Sequence, residues 1–313
     1  MTATSSPPEL APSAEHAERA RRGEVQRVSR VLAGPLVVVL LVLLVFPFLF
    51  NVYLSLTNWQ PNLGDWWEAS WVGLNNYGSV FSDGRLWSAI LRTVAILLAC
   101  LALEGFIGLV LALCFMRPFR GRAVLMALFL VPMMILPVVN GFIFFMLFQS
   151  DGPINSLLGI STQWLGGSFT ALVAIVAADV YQWTPLMFLI MLAGILAVPP
   201  NLRSAATVLG ASRWQELRHV ILPLIKPVIV IALIIRGIEV FKIFDTVYIM
   251  TGGGPGSSTE SVSVYLYDLG FRDFRLGYAA AVALVVLVLL AVAGMRAVKF
   301  LEERAEDGAE ALA

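Results

Sequence analysis

The sequence predicts an all-α integral membrane protein with six transmembrane helices and a cytoplasmic helix-turn-helix loop between the fourth and the fifth. Three observations lead there. Of 313 residues, 59% are hydrophobic and 13% charged, far from the balance of a soluble domain. Apolar runs long enough to cross a bilayer, which takes about 20 residues of helix, recur near 31–55, 88–116, 123–148, 169–197, 224–250 and 277–298. Lys and Arg also gather on alternate connections, an asymmetry that the formal net charge of zero conceals.

Residues 1–30 are rich in Pro, Ser, Ala and Glu, and read as a disordered tail. The first apolar run is too long for a signal-peptide core and follows a polar stretch without a cleavage site, so it is expected to stay as a helix. The connection 57–87 holds five of the eight tryptophans, Trp59, Trp66, Trp67, Trp71 and Trp87. Rings of this kind stack on sugars, but a belt at the membrane interface accounts for them more simply. In the second span, Glu104 falls near mid-membrane beside Gly105 and Gly108, which suit close helix packing. It reads as a buried acid hydrogen-bonded to another helix. Cys100 and Cys114 share that span, about 21 Å apart along a helix, and cannot bridge each other. Pro132, Pro137 and Asn140 mark an interrupted third span. The fourth carries Asp179, Gln182 and Trp183 at helical spacing, then Pro185 as a kink.

The stretch Val198–Pro227 is polar and basic, and longer than a connector needs to be. Pro199 and Pro200 suit a first helical turn. Asn201 to Leu209 reads as helix, and Gly210 sits where a left-handed C-terminal turn belongs. Ser212 followed by Gln215 forms a capping box for a second helix, which Leu222-Pro223 is expected to end. The fifth span then carries Arg236, Glu239, Lys242 and Asp245 at three-residue intervals. Each step drifts by about 60° around a helix, so the four cannot share one face. Charges at membrane depth face protein or a water-filled cavity. Lining of a path and structural pairing of Arg236 with Glu239 or Asp179 are both open on these residues. Beyond the fifth span, TGGGPGSSTES at 251–261 forces a turn. Residues 301–313 read as a second tail.

Orientation follows from the cations. Arg19, Arg21, Arg22, Arg27 and Arg30 in the tail, Arg117, Arg120 and Arg122, then Arg203, Arg213, Arg218 and Lys226, and finally Arg296, Lys299 and Arg304 lie on one side. The opposite connections hold Arg85, Arg272 and Arg275. Both termini and the 198–223 loop are therefore expected in the cytoplasm. Nothing in this pattern suggests nucleic acid. His16 and His219 are the two histidines, too few and too far apart for a zinc site or a His relay across the membrane. No phosphate loop of the Gly-x-x-x-x-Gly-Lys-[Ser/Thr] type occurs, so any ATP must be bound by another polypeptide.

Ala205, Ala206, Gly210 and Leu222-Pro223 resemble the cytoplasmic Glu-Ala-Ala-x-x-x-Gly loop of permease subunits of binding-protein-dependent ABC importers. Ser204 stands where that family has Glu, and Leu209 where Asp is common. SLTNW and VGLNNYGSVF in the first outer connection, and the glycine-rich turn at 251–261, resemble the carbohydrate-type branch, that of the larger maltose-transporter permease subunits and glycerol-phosphate and sugar permeases. The resemblance runs from about 30 to 300. It implies a transmembrane domain over 31–300 that imports a sugar, oligosaccharide or related polyol in a bacterial cell membrane. No enzyme activity, cofactor or metal is implied. The implied partners are a second homologous permease, cytoplasmic ATP-binding subunits and an extracytoplasmic solute-binding protein. Contact with the ATPase is implied at Ser204, Ala205, Ala206, Gly210, Ala211 and Arg213. The substrate path is implied at Asp179, Gln182, Trp183, Arg236 and Glu239, with Asn140 added as the polar group of the interrupted span. The alternative is an ion- or proton-coupled secondary transporter, a class that often shows repeated halves; no internal repeat is visible.

Overall fold

The computed structural model describes residues 33–35 and 37–310, and side chains no further than residue 299. The expected tail at 1–30 and residues 311–313 lie outside the described residues. Helices account for the regular structure among the described residues, apart from an isolated antiparallel bridge between Thr57 and Trp71. Among the described residues, five helices are long and apolar enough to cross a membrane, and a sixth crossing arises if one sharply bent pair counts as a single span.

α1 (Ala33–Ser55) contains a π turn at Leu41–Val45. Val37 to Val45 are all exposed, as suits a helix surrounded by acyl chains rather than by its own fold. The connection that follows is tied back to it, because Asn76 Nδ2 donates to the carbonyls of Ser55 and Thr57. Trp66, Trp67 and Trp71 remain exposed there, and Trp66 packs edge-on against Phe50 and Tyr53. After the short α2 (Asn75–Ser82), α3 runs over Gly84–Phe115. It starts a turn earlier than the apolar run because Asp83 caps it, accepting from the backbone N–H of Arg85 and Leu86 at 3.0 and 3.1 Å.

The expected third span is broken. α4 (Arg122–Met134) and α5 (Pro137–Leu147) meet at 95°. Pro137 supplies no N–H and forces Leu136 into an extended conformation. The carbonyl of Ile135, freed at the break, accepts from Gln182 Nε2 at 2.7 Å. α6 (Pro153–Leu158) and a 3-10 turn at Trp164–Gly166 lead into α7 (Ser168–Ala197), which is helical throughout, Pro185 included.

α8 (Pro200–Val208) and α9 (Arg213–Glu216) form the connecting knob. Leu222-Pro223 does not end the second helix as expected. α9 passes through a π turn at Leu217–Ile221 directly into α10 (Leu222–Phe241). The wider π turn lies immediately before Pro223, where the missing N–H and the ring need room. The fifth span also stops sooner than 250. It breaks at 242–244, and α11 (Asp245–Thr251) follows as a separate helix, so Asp245 is not on the helix of Arg236. The carbonyl of Ile243 in that break accepts from Ser261 Oγ at 2.8 Å. α12 (Val262–Tyr267) runs into a π turn at Asp268–Arg272. α13 (Leu276–Glu310) continues well past 298, into the residues expected as a tail.

α3 and α7 form the central pair, crossed by α10, while α5 packs on α11. Gly108 permits a close approach in the pair: a Cβ there would stand 3.0 Å from Met187 Cβ and the backbone nitrogen of Phe188. Three apolar clusters stack along the bundle. The first surrounds Phe115, Met187 and Phe188 at the knob end, the second Ile96, Phe144 and Val247 in the middle, and the third Leu86, Tyr265 and Val282 at the opposite end.

Candidate functional site

The central helices each bring one charged residue to the same buried point. Glu104 on α3, Asp179 on α7 and Arg236 on α10 are 0%, 4% and 2% exposed. Arg236 donates from Nε and Nη2 to the two oxygens of Glu104 at 2.8 and 3.0 Å, and from Nη2 also to Asp179. Its guanidinium lies over the ring of Trp183, 4.9 Å from the centroid. A planar fork that meets one carboxylate with two bonds and stacks on an aromatic face is what Arg offers and Lys does not. Cys100, Glu104 and Asp179 have ligand atoms within 4.8 Å of one another, a spacing that suits a metal ion. The guanidinium already supplies the cation at that place.

The expected pairing of Arg236 with Glu239 is not formed. Arg236 turns inward to Glu104 and Asp179, and Glu239 pairs instead with Lys242 at 2.9 Å, both side chains about half exposed. The other expected partner, Asp179, is found, and Glu104 is the buried acid bonded to another helix that its position suggests. Beside the cluster lies a cleft of about 250 Å³, bordered by Asp179, Trp183, Arg236 and Glu239, and by the starts of α5 and α11 at Pro137 and Asp245. Asn140 and Gln182 do not border it. They hold the break between α4 and α5 against α7: Asn140 Nδ2 donates to the carbonyl of Ala178 at 3.0 Å, and Gln182 to that of Ile135.

The knob is fixed by its own backbone. Gly210 has φ +80°. The N–H of Ala211 donates to the carbonyl of Ala206, and that of Gly210 to Thr207, both at 3.0 Å, the paired closure that a left-handed glycine makes possible. Ser212 and Gln215 exchange both capping-box bonds. Arg203 joins Glu216 at 2.8 Å and so ties α8 to α9. Ser204, Ala205 and Arg213 are exposed, with Ala206 and Ala211 partly covered. Val208 and Leu209 are 87% and 86% exposed, and Trp214 is exposed beside them.

A second ion network lies at the opposite end. Arg85 meets Glu260 at 2.6 Å and Asp268 at 3.2 Å, and Arg272 meets Asp268 at 3.1 Å. Asp83 accepts from the hydroxyls of Tyr265 and Tyr278, the latter at 2.7 Å. Burial pushes its carboxyl up. The bonds from Tyr265, Tyr278 and the N–H groups of Leu86 and Arg85 outweigh that and hold it below the ordinary 3.8. Sequence reasoning passed over Glu260, Asp268 and Asp83. They lie in connections between apolar runs, where a charge does not stand out in the sequence, although Glu260 and Asp268 are buried.

Residues 104–307, a stretch that takes in the ion cluster, the cleft and the knob, match the family described as binding-protein-dependent transport system inner membrane component. This chain belongs to that family. The inner membrane component is 37% identical to the trehalose/maltose transport system permease protein MalF of Thermococcus litoralis, over 82% of this chain and 88% of that one. It is 33% identical to the trehalose transport system permease protein SugA of Mycobacterium tuberculosis, over 90% and 91% of the two chains. Its fold is also that of a chain in the crystal structure of a bacterial ABC transporter involved in the import of the acidic polysaccharide alginate. The TM-score is 0.78 at 19% identity, covering 90% of this inner membrane component and 99% of that chain.

Proposed function

We propose that this inner membrane component is one of two homologous permease subunits of an ATP-driven ABC importer that moves a sugar, oligosaccharide or related polyol. The likeness to the trehalose/maltose permease over most of both chains carries this reading. The cleft beside Arg236 forms this subunit's share of the path. Trp183 offers an aromatic face there, and Asp179 and Glu239 offer acceptors for hydroxyl groups. Cytoplasmic ATPases dock on the knob through Ser204, Ala205, Ala206, Gly210, Ala211 and Arg213. The exposed Val208 and Leu209 support an interface at that loop, because apolar groups on a rigid, protruding turn are suited to burial by a partner. A solute-binding protein delivers the substrate on the side of Trp66 and Trp67, and both termini face the cytoplasm. ATP-driven closure biases the knob between two positions, and the continuous α9–α10 rod carries that bias to the cleft.

Uptake of trehalose and maltose into proteoliposomes holding the full complex tests this. Uptake should require ATP and the loaded binding protein, and should persist when ion gradients are collapsed. Accumulation driven by a proton or sodium gradient without ATP would refute the proposal in favour of secondary transport. For orientation, a cysteine at Ser257 should react with an impermeant reagent added outside intact cells, and one at Ser212 only after permeabilisation.

A further inference from the structure

The cations of the cleft are all matched by carboxylates before any ligand arrives. Arg236 is held by Glu104 and Asp179 together. Lys242 is held by Glu239. Asp245 also borders the cleft, at the first turn of α11, and has no ion-pair partner among the described residues. Its charge offsets the positive end of that helix. The remaining lining is neutral: Trp183, Phe244, Ile243, Thr246 and Pro137.

An anion entering this space finds no cation to neutralise it. Displacing a carboxylate from Arg236 would leave that acid buried and unpaired, a strongly unfavourable exchange. The Glu239–Lys242 pair is exposed and weak, so Lys242 can swing free. The freed Glu239 then stands in the same cleft, and Asp245 lies three residues beyond Lys242, so the balance of charge is unchanged. Around the cleft, the carboxylates Glu104, Asp179, Glu239 and Asp245 outnumber the cations Arg236 and Lys242. A hydroxyl-rich neutral solute meets no such penalty: it donates to the carboxylates and lays its apolar faces on Trp183 and Phe244.

We propose that this cleft admits uncharged, hydroxyl-rich solutes and rejects anionic ones, with Glu239, Lys242 and Asp245 setting the preference. The proposal rests on the importer reading above and narrows its substrate class to neutral saccharides and polyols.

The cleft's charge can be measured without the binding protein. In the assembled complex, with the exposed Cys114 replaced by Ser, Phe244→Cys and, as a second reporter, Trp183→Cys are labelled with two methanethiosulfonates. One carries a trimethylammonium group and the other a sulfonate, and each rate is divided by that for a free thiol. The cationic reagent should react at least about tenfold faster, the effect of a fraction of a unit charge at short range in a partly desolvated site. Glu239→Gln with Asp245→Asn should bring the two rates close together. Equal rates in the parent, or a faster anionic reagent, would overturn the proposal. In a second arm, uptake of trehalose is compared with that of a glucuronate-containing disaccharide. Comparable uptake of the acidic sugar would also overturn it. A cationic preference with no uptake of either sugar would support the charge assignment and sink the importer reading instead.

Discussion

The knob and the Glu104–Arg236–Asp179 cluster are both polar insertions in an apolar chain, and they are held by opposite means. In the knob, the partners are close in sequence: Ser212 with Gln215, Ala206 with Ala211, and Arg203 with Glu216, 13 residues on. Most of its side chains face outward. In the cluster, Arg236 reaches partners 132 and 57 residues away, and all three groups are almost fully buried. Losing a group in the knob therefore disturbs a surface, whereas losing one in the cluster leaves a bare charge inside the protein. The knob is suited to meeting a partner. The cluster locks α3, α7 and α10 into one register beside the cleft.

The largest expected effect comes from breaking the lock. Arg236→Met leaves two carboxylates at membrane depth and should cost about 3–5 kcal/mol, read as a lowered unfolding temperature and loss of the assembled complex. Adding Glu104→Leu and Asp179→Leu should restore much of that stability, since an apolar replacement of a whole buried group is often neutral or better. Adding Glu239→Leu should restore none, because Glu239 pairs with Lys242. Rescue by Glu239→Leu would mean that the pairing found here is wrong. At the knob, Arg203→Ala removes a partly exposed pair with Glu216 and should cost about 1 kcal/mol or less, with the complex still assembled. A loss as large as that of Arg236→Met would erase the contrast between the two regions.

The end opposite the knob carries a pH-dependent contribution. The carboxyl of Asp83 lies below 3.8 in the folded chain because tyrosine and backbone donors favour its charged form over the effect of burial. A lowered folded value means that its contribution is fully present above the unfolded value near 3.8. That contribution is lost as pH falls through the lower, folded value. Asp83→Asn should therefore flatten the acid end of the stability curve, below about pH 4, and leave the curve unchanged near neutrality apart from a constant offset. An unaltered acid limb would contradict the assigned hydrogen bonds.

These contrasts also mark what could be read from sequence. Gly210 and the Ser212–Gln215 box were legible because their consequences are local, set by φ preference and a three-residue spacing. The break at Pro137 was legible for the same reason. Pro223 misled: as a local signal it ends a helix, but a π turn beneath it absorbs the strain and the rod continues. The cluster was half legible. The cost of burying Glu104, Asp179 and Arg236 announces that each needs a partner. Which partner depends on how closely α3 and α7 approach at Gly108, which spacing along the chain does not encode. Asn140 and Gln182 were expected along a path; Gln182 donates to the carbonyl of Ile135 at the helix break, and Asn140 ties the start of α5 to the carbonyl of Ala178 on α7. A polar residue at a broken helix has two possible uses, and only the packing distinguishes them.

The proposed role of the knob is to transmit the work of ATP hydrolysis to a cleft it does not touch. The direct measurement is ATP hydrolysis by the reconstituted complex, with and without the substrate-loaded binding protein, in the parent and in Gly210→Val. A β-branched residue at φ +80° is strained by about 1–2 kcal/mol, although a Cβ there meets no neighbouring atom within 4 Å. The chain should therefore insert and assemble, and the loaded binding protein should no longer stimulate hydrolysis. Full stimulation in Gly210→Val would contradict the account.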